Sequence, residues 1–125
     1  REAEFEPRAD LSPADVLPLL ALDEDRYTRQ FAGTPLDRPG RDGLVQNAAI
    51  VAGNSGHPAA VPSLVQLLGD DNPVLRSTAA WALGRIAGKD SLVALRDRRA
   101  VEDNPPVQEE IDAALLVSSE RSERE

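Results

Sequence analysis

Asn72-Pro73-Val74-Leu75-Arg76-Ser77-Thr78-Ala79-Ala80-Trp81-Ala82-Leu83-Gly84-Arg85-Ile86-Ala87-Gly88 reads as one complete helix with its own start and stop signals. Asn72 can accept from the first free N–H groups, and Pro73 sits at the first helical position, where its missing N–H costs nothing. Leu75, Ala79, Ala82, Leu83 and Ile86 share one stripe at helical spacing. Gly88 is placed to end the helix in a left-handed conformation. Alanine dominates the middle, so a neighbouring helix can come close.

The same pattern recurs on either side. Asn104-Pro105 repeats the cap 32 residues on, and Leu75, Ala79, Ala82 and Leu83 align with Val107, Ile111, Ala114 and Leu115. In the other direction Leu44 aligns with Leu75, and Ala48-Ala49…Gly53 with Ala79-Ala80…Gly84. The segments between, about 58–69 and 91–101, each hold a single helix. Val61, Leu64, Val65 and Leu68 form the stripe of the first, with Pro62 in its opening turn. Leu92 and Leu95 form a weaker stripe in the second. A helix–turn–helix unit of 31–32 residues is the signature of an α-solenoid, in which neighbouring units close each other's apolar faces.

Upstream, Ser12-Pro13 starts a short helix that Pro18 shortens or kinks. Asp23 caps a second helix running to about Ala32, with Leu22 and Tyr27 at the spacing of a hydrophobic staple. A loop over 34–40 leads to a helix from Arg41 to Ala52, and Gly53-Asn54-Ser55-Gly56 ends it with a turn. These helices are placed to cap the stack.

Composition narrows the function. The chain has no cysteine, which excludes disulfides, thiolate nucleophiles and Cys-ligated zinc or iron–sulfur clusters within these residues. The net charge of −8 works against non-specific attraction to nucleic acid. The cations are 13 Arg and one Lys, and Arg is the better side chain for bidentate phosphate contacts. No apolar run reaches the roughly 18 residues of a membrane span, and no secretory pattern opens the chain, so a cytoplasmic location is expected. The chain starts at Arg1 inside a charged segment, as an excised part of a longer protein would.

The run Asn72-Pro-Val-Leu-Arg-x-x-Ala-Ala-x-Ala-Leu-Gly-x-Ile resembles short HEAT-like repeats of the phycobilin-lyase type. The fold expected is therefore all-α, an α-solenoid. Residues 1–10 read as a linker, 11–53 as N-terminal helices with the first repeat helix, 54–117 as HEAT-like repeats, and 118–125 as a disordered polar tail. A more specific likeness covers residues 5–117. Phe31-Ala32-Gly33-Thr34-Pro35-Leu36-x-Arg38-x-x-Arg41-x-Gly43-Leu44-x-x-Asn47-Ala48-Ala49-Ile50, then Gly53-Asn54-Ser55-Gly56, then Ala79-Ala80-Trp81-Ala82-Leu83-Gly84, is similar in order to the C-terminal region of the tRNA epoxyqueuosine reductases. That resemblance implies an oxidoreductase whose cobalamin-binding and [4Fe–4S] domains precede a HEAT-like domain. The latter helps to hold the tRNA anticodon stem-loop while epoxyqueuosine at the wobble position is reduced to queuosine. Cobalamin, clusters and catalytic acid would all lie outside this chain.

The residues available for such a role are few. Arg38, Arg41, Arg76 and Arg85 are the candidate tRNA contacts; Asp37, Gly40, Asp42 and Gln46 stand where relatives are often basic. Trp81 is a candidate interface residue, with packing between repeats as its other reading. Arg96, Arg98 and Arg99 form a second basic cluster with a solvated face as its default. No catalytic residue is expected: His57 is alone in a turn, and Asp70-Asp71 suits a turn and a helix dipole better than a metal. The alternative function, which the acidic balance favours, is a HEAT-repeat scaffold for a protein partner.

Overall fold

The computed structural model describes residues 13–33 and 40–124. Every regular element among the described residues is helical: α1 (Pro13–Leu20), α2 (Glu24–Phe31), α3 (Gly40–Ser55), α4 (Val61–Leu67), α5 (Pro73–Ile86), α6 (Lys89–Arg99) and α7 (Pro105–Arg124). One 3-10 turn over Pro58–Ala60 runs into α4. The N-terminal linker, Ser12, most of the Gly33–Gly40 loop including Arg38, and Glu125 lie outside the described residues.

The helices form two rows. Helices α3, α5 and α7 pack side by side in one, while α1, α4 and α6 follow one another in the other. Helix α5 touches α3, α4, α6 and α7, so it is the centre of the stack. This is the expected all-α solenoid. Its core is aliphatic: Leu64, Leu75, Leu83, Leu95 and Ile111 are fully buried, each stabilising the fold by about 1.5–3 kcal/mol. At the N-terminal end, Leu22, Tyr27 and Phe31 close the core, with the two rings 5.6 Å apart.

Caps fix the starts of the helices. Asp23 Oδ1 accepts from the Arg26 N–H at 2.8 Å, Asn72 Oδ1 from Val74 at 2.9 Å, and Asn104 Oδ1 from Val107 at 3.2 Å. Several ends differ from the sequence reading. Helix α3 does not stop at Gly53 but continues through Ser55, and the turn begins at Gly56, which has φ 63°. Gly53 is needed for close approach: a methyl there would stand 2.6 Å from Trp81 Cζ3 and 3.1 Å from Ala82 Cβ. Helix α5 ends one residue early, so that Ala87 as well as Gly88 is left-handed, at φ 62° and 97°. In α4 the buried stripe is Leu64, Leu67 and Leu68, while Val65 faces solvent. Helix α6 begins at Lys89, and its fully buried pair is Ser91 and Leu95. Pro18 leaves α1 helical to Leu20. Finally, α7 continues to Arg124 in place of a disordered tail from residue 118. Ser118 is fully buried, so the helix still has a packed face where the composition turns polar.

Gly84 repeats the role of Gly53 one unit on. A methyl on Gly84 would lie 2.8 Å from Ala114 Cβ and 2.9 Å from its Cα. Each crossing therefore pairs a glycine with an alanine of the next helix, Gly53 with Ala82 and Gly84 with Ala114.

Candidate nucleic-acid interface

The structure separates the candidate residues into two groups. Arg41 and Arg76 serve the stack. Arg41 donates from Nε to Leu22 O at 2.9 Å, and its Nη1 lies 3.0 Å from Asp42 Oδ1 and 2.9 Å from Asp70 Oδ1. Burial opposes its charge, but the hydrogen bonds and charges of Asp42 and Asp70 prevail and raise its pKa. Arg76 donates from Nε and Nη2 to the two oxygens of Glu102 at 2.9 and 3.0 Å. Its Nη1 donates to Asp70 O at 2.9 Å and Asp71 O at 3.2 Å. Both guanidinium groups are nearly buried, with 14% and 11% of the side chain exposed.

Each arginine joins the first turn of one row helix to the loop before the next. Asp70 Oδ2 also accepts from the Asn72 N–H at 2.9 Å, and Glu102 Oε2 from the Asn104 N–H at 3.1 Å. The acid two residues before each capping asparagine thus orders the turn and receives the arginine of the preceding helix. Glu102 was not among the sequence candidates. Its signal was present: Glu102-x-Asn104 repeats Asp70-x-Asn72. Burial pushes its carboxyl up, but hydrogen bonds from Arg76, the Asn104 N–H and Arg98, with the charge of Arg76, hold it below the usual carboxylate range.

The second group meets on the other side of α5. Trp81 and Arg85 are one turn apart, away from the Leu75–Ala79–Leu83 stripe. The Arg85 guanidinium carbon lies 5.6 Å from the indole centroid, within cation–π range. Beside them, between α5 and α7, is a groove of about 230 Å³ lined by Trp81, Gly84, Arg85, Glu110, Ala113, Ala114 and Val117. Glu110 is a buried acid that composition alone did not single out. A larger cleft of about 520 Å³, near Pro58, Ile86 and Lys89, brings together no aromatic side chain and no acid–base pair with a buried member. The groove is the better candidate, because it joins a flat ring, a cation and a carboxylate on small-residue walls.

The remaining candidates are spread out. Arg98 donates to Glu102 Oε1 at 3.0 Å, Arg99 pairs with Asp112 at 2.8 Å, and Arg96 is exposed. His57 precedes the 3-10 turn and makes no side-chain cap. Asp70 sits in the turn expected of it. Among the described residues no group of three or more His, Asp or Glu side chains could hold a metal ion. With no cysteine in the chain either, these residues do not fit an iron–sulfur cluster.

Residues 36–115 match HEAT repeats, which is more than half of the chain. The chain belongs to the HEAT-repeat family. Within that family its likeness to one group of enzymes is sustained. It is 32% identical over 111 residues to an epoxyqueuosine reductase of Listeria monocytogenes, a match covering 88% of this chain and 29% of the relative. It is 29% identical over 121 residues to an epoxyqueuosine reductase of Bacillus cereus, covering 96% of this chain and 32% of the relative. Among solved structures, epoxyqueuosine reductase crystallised with an epoxyqueuosine-modified tRNA-Tyr stem loop superposes with a TM-score of 0.76 at 26% identity. That match covers 83% of this chain and 28% of the other. The HEAT-repeat chain thus spans about a third of the length of these two enzymes. No described helix is long and apolar enough to cross a membrane.

Proposed function

We propose that this HEAT-repeat chain is the RNA-holding part of an epoxyqueuosine reductase, placed C-terminal to the domains that do the chemistry. The observation that carries the proposal is the match to a reductase crystallised with a tRNA stem loop. Reduction at the wobble base, with the cobalamin and [4Fe–4S] clusters the resemblance implies, belongs to residues outside this chain. Its own contribution is to bind and orient the anticodon stem-loop in the cytoplasm. Trp81 and Arg85 lead the proposed contacts, since they line the groove between α5 and α7 and are not tied into the turns as Arg41 and Arg76 are. Arg41 and Arg76 act through the fold, by fixing the turns that set the spacing of that row. Arg38, outside the described residues, remains a proposed phosphate contact.

Titration of the chain with a labelled anticodon stem-loop, read by anisotropy, tests this. Binding tighter than about 10 μM is expected at about 50 mM salt, weakened by Arg85→Ala. No binding at that salt would sink the proposal. The net charge of −8 favours a second reading, a scaffold for a basic protein partner. That reading predicts no RNA binding at any salt.

A further inference from the structure

Helix α6 starts without the side-chain cap that Asp23, Asn72 and Asn104 give to α2, α5 and α7. Its N-cap is Gly88, so no side chain accepts from the first turn. The N–H groups of Lys89, Asp90 and Ser91, the first three residues, have no acceptor within the helix. Leu92 is the first to donate, to Gly88 O at 3.1 Å. These N–H groups carry the positive end of an 11-residue helix. Lys89, the only lysine of the chain, adds a full charge. All three residues line the cleft of about 520 Å³, with Pro58, Pro62 and Ile86 among its apolar walls.

Ser91 adds an independent observation. The residue is fully buried, and its Oγ makes no hydrogen bond. A buried hydroxyl left without a partner costs stability, and packing does not require this one. The same register one unit earlier holds Ala60, 31 positions back and also fully buried, just as the buried Leu95 stands 31 positions after the buried Leu64. A methyl group is enough to fill this place in one repeat, yet the next carries a hydroxyl. The Cα–Cβ bonds of a helix tilt toward its N-terminus, so the side chain at the third position leans over the first turn, beside the free N–H groups.

The first turn thus offers backbone N–H groups, a hydroxyl and an ammonium, against one carboxylate, that of the exposed Asp90. Such a set of donors suits an oxyanion, and the oxygens of a phosphate accept from N–H and O–H groups together. We infer that the α6 N-terminus binds one phosphate group, held by the N–H groups of Asp90 and Ser91 and by the Ser91 hydroxyl, with Lys89 as the counter-charge. That the phosphate belongs to a bound RNA strand rests on the RNA-holding role proposed above; free inorganic phosphate is the other source of the same chemistry. None of the sequence candidates for tRNA contact lies in this turn, so the site is distinct from them.

The test follows the backbone amide resonances of Lys89, Asp90 and Ser91 in the full chain by NMR. Inorganic phosphate is titrated first and the anticodon stem-loop second, with ionic strength held constant by sodium chloride. Phosphate is expected to shift these amides saturably, with half-saturation at about 1–10 mM. Ser91→Ala, which restores the alanine of the preceding repeat, should weaken binding about tenfold and leave the urea midpoint of the free chain no lower. Asp90→Asn removes the opposing charge and should tighten binding about twofold. The stem-loop should shift the same amides and displace phosphate. If phosphate leaves the amides unmoved, or Ser91→Ala leaves its affinity unchanged, the inference is overturned, and the RNA-holding role stands or falls by the stem-loop anisotropy. A stem-loop that binds without moving these amides would overturn the assignment of the site to the RNA strand and leave that role standing. Phosphate binding without stem-loop binding would uphold the site and sink the RNA-holding role.

Discussion

Glu102 is the residue on which the C-terminal unit turns. Its carboxylate has no exposed surface and receives Arg76, Arg98 and the Asn104 N–H. Breaking a buried ion pair strands the partner charge, which costs about 3–5 kcal/mol. Glu102→Ala should therefore lower the urea midpoint of unfolding by that amount divided by the m-value. The effect should depend on pH with a definite sign. A carboxyl held below its ordinary range stabilises the fold above the unfolded pKa and loses that contribution as pH falls through the folded one. The gap in midpoint between wild type and Glu102→Gln should be full at pH 7 and shrink below about pH 4. A gap that is constant with pH would contradict the ion-pair assignment. Glu102 also shows how far the sequence could be read. Its recurrence two residues before a capping asparagine was visible, whereas its burial depended on Arg76 folding back across the turn.

At the scale of helices, spacing is set by glycine and alanine. Gly84 meets the backbone of Ala114, which cannot move aside as a side-chain tip could. Helix propensity alone predicts that Gly84→Ala stabilises α5 by about 1 kcal/mol. Overpacking against α7 opposes this by about 1–3 kcal/mol, so the net change in thermal or urea denaturation should be destabilising. A rise in midpoint would show that the crossing is looser than the structure has it. The helices themselves were legible: the start signals at Asp23, Asn72 and Asn104 each stand immediately before an observed helix, and the aliphatic stripes lie in the helices or at their ends. Their ends were less so. Gly53 looked like a stop signal because glycine often is one, yet α3 runs past it. The Trp81 ring and Ala82 across the crossing explain its lack of a side chain. Likewise Val65 fitted the α4 stripe by spacing, but Leu67 holds the buried place, because α4 turns its Leu64–Leu67–Leu68 side to the core.

For the molecule as a whole, charge and fold pull in different directions. In a chain of net charge −8, two of the four candidate phosphate contacts, Arg41 and Arg76, are engaged internally. Log affinity for the stem-loop should fall with log salt at a slope of magnitude about 2 or less. A steep slope, near that of a protein making six or more phosphate contacts, would mean that the groove is not the main contact. The α5–α7 groove was not legible in advance. Trp81 and Arg85 were recognisable as candidates, but Glu110 and Ala113 gained meaning only when α7 was laid against α5.

The sequence by itself determined the all-α class, the period of 31–32 residues, the caps and the likeness to epoxyqueuosine reductases. Caps and stripes are local, decided within a few helical turns of chain, and the repeat spacing is read by laying such stretches against one another in the sequence. Tertiary structure alone decided which arginines are tied into the stack, why Gly53 and Gly84 lack side chains, and where a groove opens. Those outcomes depend on contacts between residues about 30 positions apart. Both Arg76 and Arg85 lie on α5, and nothing local marks one for a buried carboxylate and the other for a tryptophan ring. Packing α5 between α3 and α7 makes that distinction, because it turns one side of the helix to the loop before α7 and leaves the other at the groove.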